Sequence, residues 1–273
     1  MRKIKDTAFM KNILVPVGSV DGGSNGLRYA VNFATLTGGK VYLVNVYKEF
    51  SKVAGLTKVN QVMMEDSEDM LDDIMKEVDT RGVEVKAKPI KGDPFEAIDR
   101  LSKQLHIDLI ILSPQSVDKS SKLYLGSVTG KIVKQTDIPM LIVPKNYLFR
   151  KPETILLALK RGYFEKDDML EPLKDIARIF NSTINLLHVK TPDTVGDNTP
   201  MSKELLSLNS VVTESENTTI FQGVLEHFQS HNPDILCVLR RKRGFFKKLW
   251  EKNSILKKEF HTSKPLLILR GQK

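Results

Sequence analysis

Two polar loops in the first half of the chain contain the residues best suited to hold a ligand. The first loop, residues 18–24, is rich in glycine and serine, and the second loop, residues 113–129, ends in Gly126-Ser127-Val128-Thr129. Each loop follows an apolar run that is typical of a buried strand. In an open parallel sheet, ligands bind where the carboxyl ends of strands meet the amino ends of helices. The sequence therefore predicts a ligand site formed by these two loops.

A third candidate site is a basic run near the end of the chain. Six cations lie within nine positions: Arg240, Arg241, Lys242, Arg243, Lys247 and Lys248. Phe245, Phe246 and Trp250 lie beside them, and aromatic rings among cations can stack nucleic-acid bases while the charges hold phosphates. A single short patch is weak evidence for nucleic acid, however, and a solvated loop is the favoured interpretation. Anion binding by residues 240–243 is the alternative.

The sequence predicts neither a catalytic site nor a metal site. The five histidines show no metal-ligand spacing, and no nucleophile is accompanied by a base and a residue to orient it. The acid pairs at residues 72–73 and 167–168 are typical of exposed helix surfaces. Cys237 lies inside an apolar run, which indicates a buried and inert thiol.

The elements that would position these residues occur twice along the chain. Asp108 precedes an apolar run, and Pro139 follows 31 positions later; Asp234 precedes another apolar run, and Pro265 also follows 31 positions later. A match of this length without gaps indicates a duplicated domain. We predict domains at residues 1–147 and 152–273.

Both halves alternate strand-like and helix-like segments, which predicts an α/β fold with parallel sheets. In the first half, we expect strands near residues 13–17, 41–46, 83–87, 108–112 and 140–143. Residues 48–62 are interpreted as an irregular connection, with a helix from about Met64 to Val78. In the second half, we expect strands near residues 155–159, 184–189, 210–212, 234–238 and 266–269, and a loop at residues 191–200.

Bulk composition limits the class of protein. With 41% hydrophobic and 27% charged residues, the chain is typical of a soluble globular protein, and 273 residues suit two domains. No apolar run approaches the ~20 residues that cross a bilayer, and no secretory signal is evident. A single cysteine favours a reducing compartment. We therefore expect a cytoplasmic protein without a membrane partner, and the net charge of +9 is compatible with anionic ligands.

The second polar loop, its Gly126-Ser127-Val128-Thr129 ending and the run Ile138-Pro139-Met140-Leu141-Ile142-Val143 resemble a universal stress protein domain. Val15-Pro16-Val17 and the Ser/Gly turn after it fit the same family. The resemblance covers almost the whole chain as a tandem pair. It implies two doubly wound domains, each with a five-stranded parallel sheet in the order 3-2-1-4-5. It also implies an intrachain pseudo-dimer in which residues 140–143 contact residues 266–269.

The resemblance also implies a nucleotide site in the first domain. In ATP-binding members of the family the loop reads G-x2-G-x9-G-[ST]. Ser113 and Ser116 occupy the first two glycine positions here, and Gly126 and Ser127 match the rest. Gly18 replaces an aspartate that contacts the nucleoside. The implied nucleotide-binding residues are Val17, Gly18, Val46, Ser113, Ser116, Gly126, Ser127, Val128 and Thr129.

The second copy of the loop departs further from this pattern. In an alignment without gaps, Lys252 replaces Gly126, Asn253 replaces Ser127 and Ile255 replaces Thr129. We expect no ordinary ATP site in the second domain.

Three functions are compatible with these sequence features. The first is a stress-response or signalling protein that binds ATP (with Mg²⁺ carried by the phosphates) and acts through a protein partner, with at most slow incidental hydrolysis. The second is a scaffold that has lost nucleotide binding. The third, which is less favoured, is an anion or nucleic-acid binder that uses the loop at residues 240–248. A homodimer of the tandem chain is compatible with each function.

Overall fold

The computed structural model describes residues 10–48, 57–113, 132–133, 136–163, 168–192, 194, 199–208, 210–240 and 264–270. The chain divides into two compact units, residues 1–115 and residues 116–273.

Over its described residues, the first unit alternates strands and helices. Its elements are β1 (Asn12–Val17), α1 (Val20–Thr37), β2 (Lys40–Tyr47), α2 (Thr57–Glu77), β3 (Val85–Lys91), α3 (Pro94–Gln104) and β4 (Leu109–Leu112). The strands lie in the order β3-β2-β1-β4, and β1 pairs in parallel with both β2 and β4. The central strands β1 and β4 are apolar and buried, as expected for a sheet that is covered on both faces.

The second unit contains the last strand of the first half and all of the second half. Its elements are β5 (Met140–Ile142), β6 (Thr154–Leu159), α4 (Glu171–Phe180), β7 (Thr183–Lys190), α5 (Lys203–Leu206), β8 (Val211–Glu216), α6 (Ile220–His231), β9 (Ile235–Leu239) and β10 (Leu266–Leu269). The strands lie in the order β5-β10-β9-β6-β7-β8. Pairing is parallel throughout, except that β5 and β10 are antiparallel.

The predicted fold class, two tandem doubly wound α/β domains, is confirmed. The strand order 3-2-1-4-5 holds for the first half, and the second half has the same order in its own count, β8-β7-β6-β9-β10. The expected contact between residues 140–143 and 266–269 is the antiparallel pair β5–β10, with Leu141 opposite Leu267. Because β5 pairs in this way, it belongs to the second compact unit. The domain boundary near residues 147–152 stays a prediction.

The repeated aspartate has a structural role in both halves. The Asp108 carboxylate accepts hydrogen bonds from the backbone N–H groups of Lys11 and Asn12, at 3.0 and 2.9 Å. The Asp234 carboxylate accepts from those of Glu153 and Thr154, at 2.8 and 3.0 Å. Each aspartate therefore fixes the start of the central strand of its half to the start of the neighbouring strand, which gives the aspartate the same role in both copies.

The prediction of an irregular connection through residue 62 is wrong for residues 57–62, because α2 begins at Thr57. No glycine or proline interrupts the sequence between Thr57 and Glu77, so nothing stops the helix earlier. The valines of this part, Val59 and Val62, are exposed and do not mark a core-facing stripe. The third strand also lies later than expected, and Pro89 is tolerated in it because β3 is an edge strand.

Candidate functional site

Three strand ends meet at one edge of the sheet in the first unit. Val17 ends β1 and lies opposite Asn45 of β2. Val46 follows Asn45 on the same strand. Ile13 of β1 lies opposite Leu109 of β4, and continuing that register places Ser113 opposite Val17. Gly18 follows directly after β1 and is exposed. The fold therefore brings Val17, Gly18, Val46 and Ser113 to the same edge, and their role as nucleotide-binding residues stays a prediction.

The amino end of α1 lies at this edge as well. Ser19 caps the helix, and its side-chain oxygen accepts a hydrogen bond from the Gly22 N–H at 3.4 Å. Gly23 is needed for close packing, because a Cβ at that position would lie 2.3 Å from Cδ1 of Ile74 in α2. Orphan N–H groups and the helix dipole make such a helix start favourable for an anion.

A buried amide that the sequence reasoning missed holds two of the strand ends together. Asn45 Nδ2 donates to the Val17 carbonyl at 2.8 Å, and Ser67 Oγ of α2 donates to Asn45 Oδ1 at 2.7 Å. Both Asn45 and Ser67 are buried. The signal available in the sequence was a polar residue inside the apolar run of β2, because a buried polar group must find hydrogen-bond partners.

A second amide, also missed, holds the third strand end. Asn25 of α1 is buried, and its Nδ2 donates to Ser113 Oγ at 2.7 Å. The serine at the first glycine position of the family pattern is therefore held against α1 by its hydroxyl group.

Five of the predicted nucleotide-binding residues lie outside the described residues: Ser116, Gly126, Ser127, Val128 and Thr129. The structure resumes at residues 132–133, which are helical and buried. The part of the site that would hold phosphates therefore stays a prediction from the sequence.

The corresponding edge of the second half carries different groups. Lys160 follows β6 where Gly18 follows β1, and Leu239 takes the place of Ser113. His188 takes the place of Asn45, opposite the last residue of β6. Its Nδ1 lies 3.5 Å from a carboxylate oxygen of Glu214 on β8. The hydrogen bond from Lys190 to Glu214, at 2.7 Å, holds the pKa of Glu214 below its usual range, and His188 contributes in the same direction.

The chain itself covers part of this edge in the second half. The Ser202 N–H donates to the carbonyl of Gly162, in the turn after β6, at 2.7 Å. Gly162 is buried, and a Cβ on it would lie 3.0 Å from Cγ of Met201. The segment before α5 therefore packs onto the turn that corresponds to the exposed one after β1.

Arg240, the first residue of the predicted anion-binding set, is engaged within the protein. Its guanidinium donates to the carbonyls of Val133 and Thr136 and, at 2.7 Å, to the Asp137 carboxylate. The Arg240 side chain is 16% exposed, and Arg270 lies 3.8 Å from the same carboxylate. Arg240 thus binds the carbonyl end of a helix, where a cation is favoured. Arg241, Lys242 and Arg243 lie outside the described residues, and anion binding by this set stays a prediction.

Few other groups among the described residues could take part in a reaction or bind a metal ion. Burial raises the pKa of the Cys237 thiol far above its ordinary range, which disfavours the reactive thiolate. Within the described ranges, no three His, Cys, Asp or Glu side chains lie close enough together to hold a metal ion. No helix in the same part of the chain is both long and apolar enough to cross a membrane.

Comparison with known proteins places the first half in one sequence family. The model of the universal stress protein family matches residues 10–144. A universal stress protein of Methanocaldococcus jannaschii is 25% identical over 154 residues, which cover 50% of this chain and 95% of that protein. A second one from the same organism is 23% identical over 141 residues, covering 50% of this chain and 82% of that protein.

Solved structures match the chain over its full length. A universal stress protein of Archaeoglobus fulgidus has a TM-score of 0.69 at 16% identity, covering 97% of this chain and 98% of that one. A protein of Pseudomonas aeruginosa described as functionally unknown has a TM-score of 0.61 at 15% identity, covering 96% and 93%. At these identities the likeness establishes the fold, and it extends over both halves.

Proposed function

Because the chain belongs to the universal stress protein family, we propose that its first half binds ATP or a related nucleotide and that the bound nucleotide alters contacts with a protein partner. The observation that carries the proposal is the meeting of Val17, Gly18, Val46 and Ser113 at one sheet edge, beside the start of α1. In doubly wound folds this edge is where nucleotides bind.

Each part of the nucleotide has a proposed location. The backbone at Val46 would lie beside the base, and Val17 and Gly18 would flank the base and the ribose. Gly126, Ser127, Val128 and Thr129 would hold the phosphates at the start of the next helix, as their match to the family loop suggests. Ser113 would fix the beginning of that loop through Asn25. Mg²⁺ would bind with the phosphates.

We propose one nucleotide per chain. In the second half, Leu239 stands at the position of Ser113, and the segment with Met201 and Ser202 packs on the turn after β6. Lys252 and Asn253 replace Gly126 and Ser127 in the sequence. Each of these differences removes a feature that the first half offers to a phosphate.

The proposed role is regulation, with at most slow incidental hydrolysis. At the described part of the edge, Asn45, Ser67, Asn25 and Ser113 are polar groups that hydrogen-bond to one another or to the backbone. Such groups fix geometry and do not transfer protons to or from water at a phosphate. A bound nucleotide would then act by shifting the population of a loop or a partner-binding state. We place this activity in the cytoplasm.

A second candidate function is a scaffold that binds partners without nucleotide. Two observations favour it: Gly18 offers no carboxylate to a nucleoside, and the Ser113 hydroxyl is directed to Asn25. The two functions differ in one respect that can be measured, because partner capture depends on ATP in the first and is indifferent to ATP in the second.

Calorimetric titration of nucleotide-stripped protein with Mg-ATP tests the proposal. We expect saturable binding with one site per chain, which is lost in Gly126→Val, because the added side chain blocks the approach of phosphate to the backbone. The matched control is Lys252→Val at the equivalent position of the second half, which should bind as the wild type does. Absence of heat at several temperatures, together with no thermal stabilisation by Mg-ATP, would reject nucleotide binding and leave the scaffold function.

A further inference from the structure

Helix α2 extends past the ligand edge of the sheet it covers. The hydrogen bond from Ser67 to Asn45 fixes the position of α2 along the direction of β2, because it holds Ser67 level with Asn45. Beyond Asn45 the strand continues for two residues, or about 7 Å, whereas α2 has ten residues before Ser67, or about 15 Å. Since β2 and β3 are parallel, α2 returns antiparallel to them and its amino end points toward the ligand edge. About 8 Å of helix therefore rises beyond the strand end.

One face of this projecting segment is turned inward. Among residues 58–66, Asn60 and Met63 are partly buried, and the others are exposed. Met63 and Asn60 lie four and seven residues before Ser67, so all three share one helical face. That face continues from the Asn45 contact toward the ligand edge. Val62, on the outer side, is 51% exposed.

We propose that the first turns of α2 form a wall of the nucleotide site and that Met63 contacts the base. This inference rests on the nucleotide binding proposed above and adds a specificity-determining residue to it. The backbone of Val46 lies at the end of β2. Tyr47 is partly buried and lies on the same face of β2 as Asn45. A contact between the thioether of Met63 and the aromatic ring of a base is favourable. The wall therefore suits a nucleobase, and it contacts the base and leaves the phosphates to the loop.

The anchor of the wall is the Asn45–Ser67 pair. Its two hydrogen bonds connect the end of β1, the end of β2 and the middle of α2. In the second half, the segment between β7 and β8 contains α5, which has four residues and cannot extend beyond a sheet edge in this way. Among the described residues, the wall thus occurs in the first half, where the nucleotide is proposed to bind.

Two neighbouring substitutions test the wall. Met63→Asp places a charge on the inner face, and Val62→Asp places the same charge on the outer face of the same turn. We expect Met63→Asp to weaken Mg-ATP binding by about tenfold or more, and Val62→Asp to change it by less than about twofold. Met63→Leu, which retains volume and apolarity, should bind within about threefold of the wild type.

Competition with inorganic tripolyphosphate separates the base wall from the phosphate loop. Met63→Asp should leave displacement by tripolyphosphate unchanged, because this probe has no base to contact the wall. Equal ATP affinity in Met63→Asp and Val62→Asp, or a parallel loss of ATP and tripolyphosphate binding, would overturn the inference while nucleotide binding stands. A wild-type protein that binds no ATP would overturn the proposed function itself. Thermal denaturation of each variant confirms that the fold is retained.

Discussion

At the start of their central strands the two halves are nearly identical, whereas at the carboxyl ends they differ in almost every group. Asp108 and Asp234 accept the same pair of backbone hydrogen bonds in their respective halves. At the opposite edge, Gly18, Asn45 and Ser113 of the first half correspond to Lys160, His188 and Leu239. The contrast teaches that duplication preserved the contacts that hold the sheet together and left the ligand edge free to diverge.

The two halves also differ in the helix that follows their second strand. α2 has 21 residues and extends beyond the edge, whereas α5 has four residues. In the second half the space near the edge is taken up by the chain itself, through the contact between Ser202 and Gly162. In the part of the chain that the structure describes, this kind of cover occurs at the edge of the second half, which makes each half a control for the other.

The largest effect is expected from the repeated aspartates. Asp108→Ala and Asp234→Ala should each lower the free energy of unfolding by about 3 kcal/mol, because each leaves two backbone N–H groups without their charged acceptor. Chemical denaturation of both variants measures this. Effects that differ greatly between the two would show that the sheet contacts have diverged as well, contrary to the comparison above.

A somewhat smaller effect is expected at Arg240, whose equivalent position in the ungapped alignment is Pro114. Arg240→Ala should cost about 2 kcal/mol, because the carbonyls of Val133 and Thr136 and the Asp137 carboxylate lose a shared donor. Arg270→Ala, next to the same carboxylate but more exposed, should cost less than about 0.5 kcal/mol. Thermal denaturation of the pair gives the ranking, and equal costs would contradict the role of Arg240.

Asn45 and His188 provide a direct comparison at equivalent positions. Asn45→Ala leaves the Val17 carbonyl and the Ser67 hydroxyl without partners, and it should cost about 1–2 kcal/mol. His188→Ala should cost less than about 1 kcal/mol, because its contact with the exposed Glu214 is long. Denaturant titration tests both, and a larger loss for His188→Ala would reverse the comparison.

The smallest effect is the pH dependence of the Glu214 pair. The pKa of Glu214 is lowered in the folded protein, first by the hydrogen bond from Lys190. Its stabilising contribution is therefore fully present above the unfolded-state value near 4.5 and is lost as the pH falls through the lower folded-state pKa. The difference in stability between the wild type and Glu214→Gln should be constant near neutral pH and shrink in acid.

The first half offers a fully exposed pair for the same measurement. Glu84, just before the edge strand β3, lies 3.0 Å from Lys86 of that strand, and both side chains are more than half exposed. Lys86 is 59% exposed and Lys190 is 34% exposed, and solvent and salt screen the more exposed cation, so Glu84→Gln should change stability less than Glu214→Gln at every pH. An acid dependence that is larger for Glu84→Gln would show that the His188 contact does not strengthen the pair at Glu214.

The interpretation of α2 shows where sequence reasoning fails. The helix was predicted over the residues that pack on the sheet, where Leu71, Ile74 and Val78 follow a helical period. Its first turns project beyond the sheet, and their valines, Val59 and Val62, are exposed and do not mark the face that is turned inward. Their helical state and their position at the ligand edge depend on the Ser67 anchor, which joins residues far apart in the sequence.

By itself the sequence determined the duplicated α/β architecture, its parallel strands and the residues at the ligand edge of the first half. Those features follow from local periodicity and from the spacing of Asp108, Pro139 and their repeats, which any chain of this pattern must satisfy to bury its core. Only the tertiary structure decided how the edge is held, through Asn45 on Val17 and Asn25 on Ser113. A polar side chain does not reveal its partner along the sequence, because the partner is chosen by packing between elements that are 28 and 88 positions apart.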